Sequence, residues 1–193
     1  MKVLVACEFS GVVRDAFLVR GHDAWSCDLL PSDSGYFHGG RKHYQCDVRD
    51  VVQQGGWDLM IAHPPCTYLC NSGVRWLKDN QARFDNLIVA AGLFNALLEA
   101  HIPKIAIENP IQHKYARSMI IRPYTQIVQP YYFGEPETKA TCLWLKNVPK
   151  LQPSNLVMPM FQTVHREPPG PERWKNRSRT FQGIADAMAE QWG

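Results

Sequence analysis

Short apolar runs recur along the chain, each closed by turn residues, and the stretches between them carry apolar positions at steps of three and four. Lys2–Cys7 (KVLVAC), Asp23–Leu30 (DAWSCDLL, ending near Asp28), His43–Cys46, Leu59–Ala62 and Lys104–Ile107 (KIAI) are the runs. Apolar runs of this length, bounded by Gly, Pro or Asp, read as buried parallel strands. Val12, Val13, Ala16, Phe17 and Val19 predict a helix that stops at Gly21, because glycine is the usual residue just past a helix end. A short helix through Gln54 follows the third strand. Phe84, Leu87, Ile88, Ala91, Phe94, Leu97 and Leu98 form the longest stripe and predict a helix over residues 80–100, capped by Asp79. Gln112–Ile121 predicts a short helix with a basic face. Thr125–Gln129 and Thr141–Leu145 predict two closing strands around the turn-rich YYFGEPETKA. Phe181–Trp192 predicts a last helix. Strands alternating with helices make an α/β chain.

Length and composition narrow this. The 193 residues suffice for one domain with a sizeable core, and we read residues 1–193 as a single domain. Within it, residues 149–176 are proline-rich, irregular and without periodicity. The net charge of +3 permits a nucleic-acid partner without arguing for one. The start, MKVLVAC, is too short for a secretory signal, and no apolar run approaches the ~18 residues of a membrane span. The expectation is a cytoplasmic protein, of prokaryotic or viral origin, whose six cysteines are reduced.

Candidate chemistry gathers at the strand ends. Trp57–Cys66, WDLMIAHPPC, is a strand that runs into two prolines and then a cysteine. Proline fixes φ and cannot continue a sheet, so the turn is stiff and holds Cys66 at the lip of a cleft. Alone, Cys66 is either a small apolar plug or a nucleophile. His63, Cys66 and Cys70 lack a second Cys/His pair at finger spacing, and no metal is expected. Glu8-Phe9-Ser10-Gly11 forms a glycine turn between the first strand and helix. Asp28, a little short of the ~20 residues that separate the glycine turn from a ribose-binding acid, ends the second strand. Asp47 ends the third, and Glu108-Asn109-Pro110 closes the KIAI strand. The loop Thr67–Asn80 fits a mobile flap and an ordinary surface loop equally.

In order, Phe9-Ser10-Gly11, Asp28, Asp47, Pro64-Pro65-Cys66 and Glu108-Asn109 resemble the motifs of the C5-cytosine DNA methyltransferase family. The specific part is the Pro-Pro-Cys after one apolar strand with the Glu-Asn after a later one. The likeness covers most of the chain and is looser after Pro110. It implies a Rossmann-like, S-adenosylmethionine (SAM)-dependent methyltransferase fold: a mostly parallel sheet with helices on both faces and one antiparallel edge strand. It implies SAM over the carboxyl ends of the first strands, lined by Phe9, Ser10, Gly11 and Pro64, with Asp28 on the ribose hydroxyls and Asp47 near the adenine. It implies DNA as the substrate, Cys66 as the nucleophile on cytosine C6, and Glu108, raised by burial, as the acid at N3. Asn109 would orient the loop. Residues 67–80 would close over a flipped cytosine, with Arg75 and Lys78 available to phosphates.

This sequence departs from the family in four places. Val12 and Val13 follow Gly11 where the family is glycine-rich. His63 stands before the prolines. After the turn Phe133-Gly134-Glu135-Pro136, residues Glu137, Lys139 and Thr141 replace a glutamine and two arginines. Lys139 brings a point charge to the catalytic site but not a bidentate fork, and Arg177 and Arg179 are the compensating cations toward nucleic acid. Gly183-Ile184-Ala185 weakly resembles the family's closing motif. Finally, no target recognition domain fits between Thr141 and Arg177. That leaves open a single-stranded DNA, an RNA or a free cytidine nucleotide as substrate, a protein partner that supplies specificity, and a non-catalytic nucleic-acid-binding subunit.

Overall fold

The structure, a computed structural model, describes residues 1–34 and 42–193, apart from the side chain of His165. The loop expected between the second and third strands lies mostly outside them. The described strands are β1 (Lys2–Ala6), β2 (Asp23–Asp28), β3 (His43–Gln45), β4 (Leu59–Ala62), β5 (Lys104–Pro110), β6 (Gln126–Val128) and β7 (Thr141–Lys146). The helices are α1 (Val12–Val19), α2 (Val48–Gln54), α3 (Gln81–Leu98), α4 (Lys114–Met119), α5 (Thr163–Arg166), α6 (Arg173–Ser178) and α7 (Gln182–Trp192).

The strands form one sheet in the order β3-β2-β1-β4-β5-β7-β6. All neighbours are parallel except the pairs that involve β7, which runs against both β5 and β6. Side chains alternate across a strand, so each strand feeds two cores. Leu4, Ala6, Met60, Ala62, Ile105, Ile107 and Trp144 face α2, α3 and α4. Val3, Val5, Leu59, Ile61, Ala106 and Leu143 face α1 and α7. This is the Rossmann-like arrangement expected, with helices on both faces. Gly183 lets α7 start hard against the Phe133 carbonyl, where any Cβ would collide.

Three details differ from expectation. The antiparallel strand is not at the edge: β7 lies one place in, and β6 is outermost. The burial explains it, since β7 carries the fully buried Cys142, Leu143 and Trp144 whereas β6 is short and leaves Ile127 exposed. The cap of α3 is Asn80, whose side-chain oxygen accepts the Arg83 N–H at 2.9 Å, rather than Asp79. And β5 does not stop at Ile107. Glu108, Asn109 and Pro110 continue it opposite Leu143, Cys142 and Thr141.

Phe94 of α3 packs edge-on to Trp144, ring centroids 4.9 Å apart, with no exposed surface. Ile88, on the same predicted stripe, is half exposed. Phe94→Ala is therefore expected to lower unfolding free energy by about 3–5 kcal/mol and Ile88→Ala by under ~1 kcal/mol, read from urea titrations.

Candidate active site

Parallel pairing places Ala6 beside Ala62, and Ala62 beside Ile107. The next residue on β4 is His63 and the next on β5 is Glu108, and both point to the same face of the sheet. Their side chains meet: His63 Nδ1 lies 2.8 Å from Glu108 Oε2, both nearly enclosed. The His63 N–H donates to the Ala6 carbonyl at 2.9 Å, which ties the end of β4 to β1. Asn109, buried, donates through Nδ2 to the Pro64 carbonyl at 2.8 Å. It thus fastens β5 to the proline turn that precedes Cys66.

Beyond the prolines the chain makes a single turn. The Cys66 carbonyl accepts N–H bonds from Leu69 and Cys70, each at 3.0 Å. That i-to-i+4 step sets the thiols of Cys66 and Cys70 side by side. A hydrogen bond between them, reinforced by burial and by the Glu108 charge, pushes the Cys66 thiol up, while Lys139 pulls it down. Cys70 moves the other way, because its thiolate is held by the Cys66 thiol and by Ser72, 3.1 Å away. The pair therefore releases its first proton more readily than an ordinary thiol and its second less readily.

Glu108 corrects one expectation. Burial pushes it up, but the hydrogen bond and charge of His63, the Lys139 charge and the Thr141 hydroxyl outweigh burial and hold it below the usual carboxylate range. Lys139 acts on both Cys66 and Glu108, so the four residues expected to be catalytic come together. Its Nζ also donates to the Arg177 carbonyl at 2.9 Å. Glu137, buried, does something else: it accepts from the Thr163 N–H and hydroxyl and anchors the start of α5. A second acid was missed from sequence. Glu8 is buried, and its carboxylate accepts from the N–H groups of Val13 (2.7 Å) and Arg14 (3.3 Å) and from the Ser10 hydroxyl. Burial pushes Glu8 up, against the nearby His63 charge. Its one sequence signal was position, an acid between a buried strand and a helix start.

The residues expected to hold SAM lie at the carboxyl ends of β1, β2 and β3. Asp28 and Asp47 both act on the Cys7 thiol, which burial and these two charges push up to about 12. Asp28 is half-buried, raised by that burial, and spends one oxygen on the Leu30 N–H. A half-buried carboxylate with no ion pair among the described residues suits a hydroxyl-bearing ligand. Asp47 caps α2 and is bound by Arg49. Phe9, Ser10 and Gly11 are buried, and Gly11 is left-handed with φ 74°. Glu8 occupies N–H groups of α1, so the turn does not offer them to a phosphate; SAM carries none. The donor set fits it. Phe9 is covered by Trp174 and by Arg179, which is ion-paired with Asp33. Arg179 thus lies against the turn between β1 and α1.

The loop after Cys66 is fastened rather than free. Leu69 and Leu77 are buried, Cys70 bridges to Gln112, and Leu69 and Tyr68 carbonyls bond His113. Arg75, which lies over the Trp76 ring, and Lys78 are exposed on it. Arg177, half-buried, lies beside Lys139 through its carbonyl.

No protein-family model matches the chain, and no curated protein matches it in sequence. Solved structures do. One is of a prophage-encoded E. coli protein assigned as a DNA modification methyltransferase, with 14% identity and a TM-score of 0.51 over 81% of this chain and 51% of that one. Another is the Entamoeba histolytica methyltransferase EhMeth, with 14% identity and a TM-score of 0.50 over 83% and 57%. The chain spans little more than half the length of these structures. The likeness is one of fold, a Rossmann-like methyltransferase fold.

The thiol pair makes a prediction. With iodoacetamide at neutral pH, Cys70 is expected to be alkylated before Cys66, as read by peptide mass spectrometry over time. Alkylation of Cys66 first would contradict the proton distribution in the pair.

Proposed function

We propose that the chain is a SAM-dependent methyltransferase that modifies C5 of cytosine in DNA through a covalent bond between Cys66 and C6. The observation that carries this is the convergence of Cys66, beyond β4, Glu108, late in the adjacent parallel β5, and Lys139, ahead of β7. The similar structures named as methyltransferases support the class of reaction.

The chemistry needs these residue types. When bound, SAM supplies a methyl group on a sulfonium centre, an electrophile that C5 of a neutral cytosine is too weak to attack. Cys66 changes that by nucleophilic catalysis. As the Cys66 proton passes to the Cys70 thiolate beside it, the Cys66 sulfur electron pair forms the S–C6 bond, the C5–C6 π pair moves to C4–C5, and the C4–N3 π pair moves to N3, which takes a proton. C5 is then an enamine carbon. Lys139 favours the thiolate by its charge, and Glu108 faces the same space to meet N3. Loss of the C5 proton to a base, and return of the N3 proton to the acid that gave it, then let the thiolate leave. Asp28 and Asp47 would hold the cofactor from the first strands, with Phe9 and Ser10 beside it. A cytosine in a duplex would have to leave the stack to reach Cys66.

Incubation with methyl-labelled SAM and four acceptors (cytosine-containing duplex, single-stranded DNA, RNA and dCMP) tests this. Label in DNA that Cys66→Ala abolishes is expected, with Glu108→Gln slower by about 10²–10⁴-fold. Label that survives Cys66→Ala would remove the nucleophile. Label confined to RNA or dCMP would move the substrate, and no label in any acceptor would leave the fold without this activity.

A further inference from the structure

His63 has no part in the chemistry above, yet it occupies the centre of the site. Two observations bear on its role. Nδ1 and Oε2 are atoms that both carry lone pairs, and a separation of 2.8 Å between them requires a proton in the contact. The contact is also built into the sheet, since His63 and Glu108 follow the paired residues Ala62 and Ile107. His63 Nε2 is buried and has no hydrogen-bond partner among the described residues.

The surroundings set the charge balance. Glu8 in the turn after β1 and Glu108 on β5 are buried carboxylates, Lys139 ahead of β7 is a cation, and Cys66 lies beyond β4. On β7, burial and the charge of Glu108 push the Cys142 thiol up to about 11. Glu8 is met by N–H groups of α1, so the contact with His63 and the nearby Lys139 are what set the charge at Glu108. Glu108 alone is a poor acid, because His63 and Lys139 keep it ionised. The ring nevertheless needs a proton at N3.

We propose that His63 is a positioning residue which shares one proton with Glu108, and that this shared proton is the one delivered to N3 of the substrate ring. The inference rests on the methyltransferase reading above. From a His63 imidazolium, the Nδ1–H bond breaks as a Glu108 O–H bond forms, the proton passes to N3, and His63 is left as neutral imidazole. That proton returns from N3 to the pair when the thiolate leaves, and the proton lost from C5 passes to a separate base.

Ring ¹⁵N spectra of the ligand-free protein locate the proton without any turnover. The expected result is a proton on His63 Nδ1 at neutral pH, with that signal displaced in Glu108→Gln. His63→Gln, checked for an unchanged unfolding temperature, should lower kcat about 10–100-fold with KM within about twofold. Its pH profile should change, because Glu108 loses the hydrogen bond and charge that hold its carboxyl low. A bare Nδ1 in the folded wild type, or a His63→Gln enzyme with wild-type kcat and pH profile, would overturn the proposal. A protein with Nδ1 protonated that labels no acceptor would fail the methyltransferase reading and the delivery to N3 while keeping the shared proton. Label in DNA with Nδ1 bare would fail the shared proton alone.

Discussion

A buried imidazole–carboxylate contact joins the ends of β4 and β5, and it depends on a register that the whole sheet enforces. The two side chains meet because Ala62 pairs with Ile107. Side chains alternate with a period of two, so a slip of one residue would send one of them to the opposite core. The register is held from both sides. Leu59 and Ile61 are locked against α1 and α7, Met60 and Ala62 against α3. Packing far from the site is therefore what sets a 2.8 Å distance within it.

The same geometry concentrates charge where water is scarce. Glu8, His63, Glu108 and Lys139 form a chain of ionisable groups from the start of α1 to the foot of β7. Each is compensated by a neighbour: Glu8 by N–H groups of α1, Glu108 by His63 and Lys139, Lys139 in part by the Arg177 carbonyl. Removing one member leaves another buried without its partner, which is costly. Lys139 also links this interior to the basic segment around α6, which reaches across to Phe9 and Asp33. One segment thus touches both the proposed nucleophile's surroundings and the proposed cofactor turn.

Much of this was legible in sequence, and the reasons differ by element. The strands were readable because buried parallel strands are short apolar runs, and Cys66 and Glu108 stood out because proline and polar residues follow such runs abruptly. Asn109 stood out by resemblance, and it donates to the Pro64 carbonyl of the proline turn. What needed the structure was pairwise. His63 looked like an anomaly until the register set it against Glu108, whose proton affinity was expected to rise by burial and instead falls through two neighbours far off in sequence. Glu8 was invisible because what it satisfies is backbone N–H groups, which carry no residue code. The inner position of β7 was missed because an antiparallel strand late in the chain does not reveal on which side of β6 it inserts.

The central claim is that Cys66 bonds to the cytosine ring while Glu108 and its partner feed N3. Intact-protein and peptide mass spectrometry after incubation with SAM and a DNA oligonucleotide bearing 5-fluorocytosine tests it directly, since fluorine at C5 blocks the proton loss that would release the thiolate. The account predicts a stable adduct on the peptide that contains Cys66, absent in Cys66→Ala. An adduct on Cys70 instead, or methyl transfer to unmodified cytosine with no adduct on the fluorinated base, would contradict it.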